Sequence, residues 1–502
     1  MPCRKRSRKR LRDERPLVAT SLATVLLAGC AVGPDYVRPP VEVPAAYKEA
    51  GLWKAAEPHP VDARHAWWQR YGDTTLNGLV EQANDANQNI REAEGQYRQA
   101  KAIADAARAG FFPNVGAAAT AGRGVSSVTG NDATGFAVSL SASWEPDLWG
   151  GVRRAVESGE AGAQASADDL AAARLSIQAA LAEDYLQLRY TDVQRELYAR
   201  TTVAYAKALQ LTQAQYRAGV VLRSDVALAE TQLKTAQAQA VDLDAQRSQL
   251  EHAIAILIGR PPAAFVLPAV SPADGFEARM PAIPPSLPSE LLESRPDIAA
   301  AERRAALANA NIGVAKAAYY PSLALSAGGG ASAATVASLL ATPSRVWSLG
   351  ATLAQTLFDG GLRSARTAEA VAAFDVAVAQ YKQTVLGGFQ QVEDDLATLA
   401  VLERETALQD EAVAAARLAE RLALAQYRGG TANYLTVVAA QALALSNART
   451  AVQLRSRQLT TSVALITATG GGWSPGRDDV AATRAAAPPA AAIETASTSS
   501  GR

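Results

Sequence analysis

The 502-residue chain predicts a mainly α-helical fold with a membrane β-barrel, built from a duplicated helix–β-hairpin–long helix–helix unit. Three observations support this prediction. Short motifs recur in the same order at an offset of about 210 residues, which is typical of an internal duplication. Two segments of about ten residues alternate between apolar and small side chains, which is a strand pattern. Two helical patterns run for about 68 residues each, or roughly 100 Å, a length that no globular core needs.

The repeated motifs form four pairs, and each pair marks the same place in the two copies. The pairs are Ala109–Pro113 with Ala317–Pro321, Asp147–Arg153 with Leu357–Arg363, Leu181–Tyr185 with Val392–Leu396, and Ala214–Gly219 with Ala425–Gly430. This duplication divides the chain. The predicted parts are a lipoprotein signal peptide (1–29), an acylated N-terminal linker and equatorial segment (30–73), a first repeat (74–285), a second repeat (286–470) and a disordered C-terminal tail (471–502).

The signal peptide is predicted from its charge and length. Eight basic residues precede the apolar segment Leu17–Ala28, which is shorter than the roughly 20 residues that span a bilayer. It ends in Leu27-Ala28-Gly29-Cys30, which resembles the bacterial lipobox and implies cleavage before Cys30 and acylation of that residue. An ordinary signal peptide with a chance cysteine is the alternative. Ala31 after the cysteine favours the outer membrane.

Each copy is predicted to follow one order of elements. A helix, at about 74–110 and 290–319, ends where an aromatic pair precedes proline, which cannot continue a helix interior. A β-hairpin follows at about 112–149 and 321–358. A long helix runs through 151–217 and 361–428, and a glycine-containing turn separates it from a last helix at 223–258 and 434–468. In the second long helix, an apolar seam predicts coiled-coil packing. That seam is Val385, Phe389, Val392, Leu396 and Leu399.

Four strands cannot close a membrane barrel, because an open sheet edge leaves unpaired backbone groups in lipid. The strands are therefore expected to be shared between chains. A dimer gives eight strands, whose interior side chains fill, whereas three chains give twelve and a wet interior. The small inward residues of the predicted strands suit such an interior. We therefore predict a homotrimer whose barrel contacts outer-membrane lipid.

Other functions are disfavoured by composition. The formal net charge is zero, so no nucleic-acid partner is expected. The chain has two cysteines and three histidines without metal-ligand spacing, and it carries no phosphate-binding loop pattern. We expect no metal, no cofactor and no enzymatic activity. The acidic pairs Glu183-Asp184 and Asp394-Asp395 are interpreted as solvated or lumen-facing helix positions.

Residues 30–470 resemble the outer membrane factor family, the TolC-like channels, and within it the NodT-type lipoproteins that serve resistance–nodulation–division efflux pumps. The most specific segments are Cys30–Tyr36, Trp67–Asp73, Arg295–Arg303 and Asn311–Ser322. The resemblance implies a homotrimer with a 12-stranded barrel and a long α-helical tunnel in the periplasm. It also implies a periplasmic adaptor and an inner-membrane pump of that class as partners. The implied function is passive exit of drugs or other small solutes across the outer membrane.

The resemblance places two features at the turns between the long and the last helices. The turns, with Gly219, Val220, Gly429 and Gly430, would dock the adaptor. Nearby residues would form a periplasmic gate. The gate candidates are Tyr216, Ser224, Asp225, Tyr427, Arg428, Leu435 and Thr436.

The chain departs from the family pattern at this gate. Positions that are often acidic in the family carry Thr436 and Ala439, and its arginine positions correspond to Gln426 and Ala432. We therefore expect Arg428 or Arg223 to pair with Asp225 instead, and Leu435 and Tyr434 to narrow the pore.

Two alternative functions remain at this stage. The same fold serves type I protein secretion, although the lipobox and the segments around Trp67-Trp68 and Arg295-Pro296-Asp297 favour small-solute efflux. A periplasmic coiled-coil scaffold lipoprotein without a pore is the second alternative, but such a protein would not need the alternating strands.

Overall fold

The computed structural model describes residues 31–49, 66–125, 132–269, 280–281, 288–339 and 344–474. Eight α-helices and four β-strands lie within these ranges. In chain order they are α1 (Thr74–Ala86), α2 (Gln88–Ala109), β1 (Asn114–Val125), β2 (Asp132–Trp144), α3 (Gly151–Arg217), α4 (Arg223–Leu257), α5 (Pro288–Ser294), α6 (Pro296–Ala317), β3 (Ser322–Ala333), β4 (Arg345–Ala354), α7 (Leu362–Arg428) and α8 (Tyr434–Ala468). The predicted order of elements therefore recurs in both halves.

The helix expected at 74–110 is two helices. Asn87 separates them, because its side chain accepts hydrogen bonds from the backbone of Asn89 and Ile90 and so caps the start of α2. The helix expected at 290–319 is divided in the same way, since α5 ends before Pro296 and α6 begins there. Both long helices have 67 residues, which corresponds to about 100 Å. Within the described chain, no helix is long and apolar enough to cross a membrane.

The four strands form one antiparallel sheet in the order β1-β2-β3-β4. Its register gathers the apolar side chains on one face, because Leu140 lies opposite Ala117 and Gly329, and Val138 lies opposite Ala119. The other face carries small residues. They include Ser139, Ser141 and Ser143 on β2, Ser326 on β3, and Ser348, Gly350 and Thr352 on β4. In this sheet β1 and β4 are the edge strands.

The described residues divide into two compact units. The first combines residues up to Pro40 with Gln96–Ser166 and Ala301–Lys382, and it contains the sheet. The second combines Val41–Gly95, Ala167–Ala300 and residues from Gln383 onward, and it contains both turns between long and last helices. The apolar seam predicted in α7 is buried in the second unit, with Val385, Val392 and Leu396 at most 2% exposed.

In the first unit, the extended segment 31–38 is fastened to three helices. Asp35 forms an ion pair with the buried Arg154 of α3 at 2.7 Å. The Tyr36 hydroxyl donates to a Glu302 carboxylate oxygen of α6 at 2.7 Å, and Arg38 donates to the Tyr381 hydroxyl of α7 at 3.1 Å. These contacts bring together two of the segments that carry the family resemblance, Cys30–Tyr36 and the end of Arg295–Arg303.

In the second unit, the short 3-10 helix Trp67–Tyr71 is a packing element. Trp67 is 1% exposed, and the Tyr71 hydroxyl lies 2.7 Å from the Ser462 hydroxyl of α8. Asp73 caps α1 by accepting from the Leu76 backbone at 3.1 Å, and it also accepts the Tyr185 hydroxyl at 2.5 Å. The segment Trp67–Asp73 therefore attaches the start of α1 to α3 and α8.

The ordered chain continues past the predicted boundary at residue 470. Gly471 is buried, and a side chain at this position would meet Leu175 and Trp67. Residues 471–474, which were predicted to belong to the tail, are therefore ordered, and residues 475–502 lie outside the described residues. The predicted signal peptide 1–29 and the predicted acylation site Cys30 also lie outside them.

Candidate functional site

The two predicted adaptor-docking turns have the same backbone geometry. Gly219 and Gly430 have φ angles of 73° and 74°, a left-handed conformation that favours glycine. The Val220 amide donates to the Gln215 carbonyl and the Thr431 amide to the Gln426 carbonyl, each at 2.9 Å. These six-residue closures end α3 and α7. Gly430 therefore corresponds to Gly219, whereas Gly429 has no left-handed φ and corresponds to Ala218.

The two candidate gate tyrosines lie at equivalent positions of the repeats but have different surroundings. Tyr427 is 6% exposed and its hydroxyl donates a short hydrogen bond to the Gln215 side-chain oxygen of α3. Its ring lies 5.3 Å from the Tyr434 ring, and both pack against Ala229 of α4. Tyr216, at the matching position of the first repeat, is 44% exposed. The structure thus joins the two repeats through Tyr427 and Gln215.

Asp225 is a helix-capping residue in the single chain. Its carboxylate accepts from the Leu222 backbone amide at 3.2 Å, at the start of α4. In the second repeat, the residue that caps α8 precedes the helix instead of lying in its first turn. There the Asn433 side chain accepts from the Thr436 amide at 3.0 Å and from the Thr436 hydroxyl at 2.8 Å. Because Asn433 satisfies the first turn of α8, Thr436 can replace an acidic residue there.

In the single chain, Asp225 and Tyr434 have contacts other than the expected ones, and their roles in the assembled gate stay predictions. Within the described residues, no ion pair joins Asp225 to Arg223 or Arg428, because its carboxylate is directed at the Leu222 amide. Tyr434 does not line an opening, since it is 2% exposed and packs in the apolar cluster around Tyr427.

The remaining gate and docking candidates lie on the surface of the single chain. Val220 and Leu435 are 71% and 57% exposed. Ser224, Arg428 and Thr436 are exposed as well. The exposed residues are therefore available to a neighbouring subunit or a partner, whereas Tyr427 and Tyr434 are held inside the chain.

Burial raises the pKa of the inner tyrosine. It raises the pKa of the Tyr434 hydroxyl to about 12, against a smaller opposing effect of the hydrogen bond with Thr212. Tyr434 therefore stays a neutral phenol at physiological pH. The Tyr427–Gln215 hydrogen bond beside this ring joins a hydroxyl to an amide oxygen.

The two acidic pairs come together in the second unit. Burial, and then the neighbouring Asp394 and Glu183, raise the pKa of the Asp395 carboxyl to about 6. Burial also raises the pKa values of Glu183 and Asp184. Glu183, Asp184 and Asp395 are half-buried rather than fully solvated, whereas Asp394 is exposed. Among the described residues, no group of three metal-ligating side chains has the arrangement of a metal site.

Sequence reasoning missed Gln215 and Asn433. A signal for Gln215 was present, because Ala-Gln-Tyr-Arg occurs in both repeats, at Ala214–Arg217 and Ala425–Arg428. Asn433 stands three residues before Thr436, which is the spacing of an N-cap and the residue it caps.

The chain matches the family described as outer membrane efflux protein over residues 79–260 and 287–471. The chain belongs to the outer membrane efflux protein family. It is 31% identical over 471 residues to the pyoverdine export outer membrane protein OpmQ of Pseudomonas aeruginosa, covering 91% of this chain and 97% of the relative. It is 28% identical over 463 residues to the toluene efflux pump outer membrane protein TtgF of Pseudomonas putida, covering 90% and 95%.

The fold is also that of a solved family member. The structure of the outer-membrane channel OprN superimposes with a TM-score of 0.81 at 31% identity, covering 89% of this chain and all of that chain. The predicted fold, mainly α with a membrane β-barrel, is thereby confirmed, as is the predicted function of an outer-membrane component of an efflux system. Channels of this family are trimers that work with adaptor proteins and inner-membrane pumps.

Proposed function

We propose that three copies of this chain form a passive outer-membrane duct that conducts small organic solutes out of the cell. The solutes reach it from a periplasmic adaptor and an inner-membrane pump of the resistance–nodulation–division class. The duct itself has no catalytic activity and requires no cofactor. This proposal keeps the two repeats predicted from sequence, each of which supplies one hairpin, one long helix and one last helix.

The sheet is the observation that carries the proposal. Its edge strands β1 and β4 each have one neighbour in the chain, and open edges are not tolerated in lipid. Edge-to-edge pairing of three four-stranded sheets gives twelve strands. The apolar face of the sheet would then contact lipid, and the face with Ser139, Ser141 and Ser143 would line an aqueous interior.

The cargo class is inferred from the relatives. One is named for pyoverdine export and another for toluene efflux, and both names denote small organic molecules. We infer the same class of solute for this chain, rather than the protein cargo of type I secretion.

The proposed cargo is tested by deleting the gene in its own host. We expect greater accumulation of a small fluorescent dye and greater susceptibility to small organic toxicants, both reversed by the wild-type gene. The pattern of secreted proteins should not change. Loss of a secreted protein with unchanged dye accumulation would contradict the efflux proposal and favour secretion.

We also propose that Cys30 is the acylated first residue of the mature protein. The lipobox supports this proposal, and so does the fastening of residues 31–38 close behind it. Intact-mass measurement of the mature protein tests it. The expected mass is that of residue 30 onward plus acyl chains, and Cys30→Ser should remove the added mass. A mature chain that begins elsewhere would contradict the proposal.

The periplasmic gate is proposed at the two turns. The Tyr427–Gln215 bond and the apolar cluster around Tyr434 would hold the repeats together in the closed state. The exposed Val220, Leu435 and Thr436 would face the lumen or the adaptor. Ser224 and Arg428 are kept as gate candidates on position alone. The turns around Gly219 and Gly430 are the proposed adaptor-docking surface.

A further inference from the structure

Equivalent residues of the two repeats differ in burial around the tyrosines. Tyr427 is 6% exposed, and Tyr216 is 44% exposed. Ala229 is 1% exposed, but the equivalent Ala440 is only partly buried. Gln215 is partly buried, and the equivalent Gln426 is exposed. The same residue types therefore occur twice at an offset of 211 residues, and only one set is covered in the single chain.

The covered set forms the packing contact between the first and the second repeat within one chain. The first repeat contributes Gln215, which accepts the tyrosine hydroxyl, and Ala229, whose small side chain leaves room for the ring. The second repeat contributes Tyr427, Tyr434 and Val437, which pack together against Ala229. One repeat thus presents an alanine–glutamine surface, and the other presents a tyrosine surface.

In the uncovered set the two surfaces are exchanged between the repeats. The tyrosine surface lies on the first repeat, and the alanine–glutamine surface lies on the second. The first repeat carries Tyr216 and Val226, which correspond to Tyr427 and Val437. The second repeat carries Gln426 and Ala440, which correspond to Gln215 and Ala229. A ring of repeats places the tyrosine surface of each first repeat against the alanine–glutamine surface of a neighbouring second repeat. Such head-to-tail contacts generate a closed ring when the rotation between subunits closes, as it does in a trimer.

We propose that Tyr216 of one subunit donates its hydroxyl to the side chain of Gln426 of the partner subunit, with its ring against Ala440 of the partner subunit. This contact completes the gate ring, which alternates Tyr427–Gln215 bonds within chains with Tyr216–glutamine bonds between chains. The inference rests on the trimeric duct proposed above. It adds a site that is incomplete in one chain and that a second copy completes.

One position breaks the equivalence. The residue that corresponds to the buried Tyr434 is Arg223, which is exposed in the single chain. The contact between subunits therefore has a charged, hydrated side chain where the contact within a chain has an aromatic ring. Less apolar area is buried there, so the seams between subunits are the weaker ones and open first.

Chemical cross-linking tests the contact. Tyrosine and glutamine side chains separate the two backbones too far for a disulfide, so a short bismaleimide is the suitable reagent. The full-length protein with Tyr216→Cys and Gln426→Cys should give covalent dimers and trimers on a denaturing gel. The matched pair Gln215→Cys with Tyr427→Cys should stay at monomer mass, because it links residues of one chain. Single-cysteine variants control for Cys30.

A distant pair controls for random collision. Val203→Cys with Gln426→Cys places one thiol on the same helix but about 20 Å from position 216, and it should give little product. The mass of the detergent particle is measured in parallel. A three-chain particle without the Tyr216–Gln426 product would overturn this inference and leave the proposed duct intact. A single-chain particle would overturn both.

Conductance supplies a second readout. Tyr216→Phe removes only the hydroxyl, and we expect a roughly 2- to 10-fold rise in the open fraction of single channels, similar to the rise for Tyr427→Phe. Thr231→Ala is the control, because it removes an exposed hydroxyl of α4 that donates to the Ala227 carbonyl of the same helix, and it should not change the open fraction. A rise for Tyr427→Phe alone would overturn the contact between subunits.

Discussion

Individual residues at the turns divide one capping function between the repeats. Asp225 accepts from a backbone amide behind it, whereas Asn433 accepts from an amide ahead of it. Each repeat therefore keeps one half of a capping box and lacks the other. The second repeat has lost its acidic residue without losing a capped helix.

Two substitutions of Asp225 distinguish a helix-capping role from an electrostatic role in closing the gate. Asp225→Ala removes the acceptor for the Leu222 amide and should cost about 1 kcal/mol of stability. Asp225→Asn keeps an acceptor and loses the charge, so it should resemble wild type in thermal unfolding and in single-channel conductance. If Asp225→Asn opens the channel as strongly as Asp225→Ala does, the charge matters in the trimer and the capping account is insufficient.

The acid cluster should make stability depend on pH. Because the pKa of Asp395 is raised to about 6, the folded chain binds this proton more tightly than the unfolded chain. The resulting stability is present below about pH 4 and is lost as the pH rises through 6. Asp395→Asn should therefore raise the unfolding temperature above pH 7 relative to wild type, and the difference should disappear near pH 4.

Glu369→Gln, an exposed carboxyl change on the same helix, is the control for the Asp395 measurement. It should show no comparable pH dependence. A difference between Asp395→Asn and wild type that is constant from pH 4 to pH 8 would contradict the raised pKa.

The sequence was sufficient for the position of the turns but not for the packing around them. Repetition of Ala-Gln-Tyr-Arg and the glycines located both turns within one residue. The burial of Tyr434 was missed, because it depends on Ala229 of another helix, and one-helix patterns do not contain that contact. The hydrogen bond of Asp225 was missed for a related reason. The Leu222 backbone amide, rather than an arginine side chain, donates to its carboxylate.

Among the elements, the sheet has one apolar face and one face of small residues. Substitutions at the adjacent positions Leu140 and Ser141 test the two faces separately. Leu140→Arg puts a charge on the apolar face, which costs roughly 2–4 kcal/mol at the bilayer midplane. It should sharply reduce the heat-labile trimer recovered from membranes.

Ser141→Arg is the matched change on the small-residue face. Its cross-strand neighbours are Gly116 and Gly328, which leave room for the side chain. The variant should assemble normally and conduct less, because the new side chain occupies the lumen. Equal loss of trimer in both variants would contradict the assignment of the faces.

The N-terminal segment 31–38 packs closely against Gly313 of α6. A side-chain carbon at Gly313 would lie 2.6 Å from Cγ of Arg154 and 3.0 Å from the carbonyl oxygen of Val32. Gly313→Ala should therefore displace the segment and destabilise the protein by about 1–3 kcal/mol.

Gly387→Ala is the control for Gly313→Ala, since no neighbour lies within 4 Å of the added carbon in one chain. It should be neutral or slightly stabilising in a helix. Thermal unfolding and limited proteolysis of the segment 31–38 measure both variants. Equal behaviour of the two would show that close approach at Gly313 has no structural role.

In the whole molecule, duplication explains what a single chain leaves unsatisfied. Each repeat supplies two strands, one long helix and one last helix. A single chain nevertheless leaves both edges of its sheet unpaired and the tyrosine surface around Tyr216 exposed. The order of elements and the twofold plan were predictable, because periodicity and repetition are properties of the sequence. The breaks at Asn87 and Pro296 were less visible, since the helical pattern continues on both sides of them.

Single-channel recording in a planar lipid bilayer tests the central claim most directly. The purified full-length protein, with its particle mass measured in the same preparation, should insert as a three-chain particle and give discrete conductance steps. Tyr427→Phe should increase the open fraction, because it removes the bond between the repeats. A folded three-chain particle that inserts and never conducts, in wild type or in this variant, would contradict the account of the protein as an outer-membrane duct.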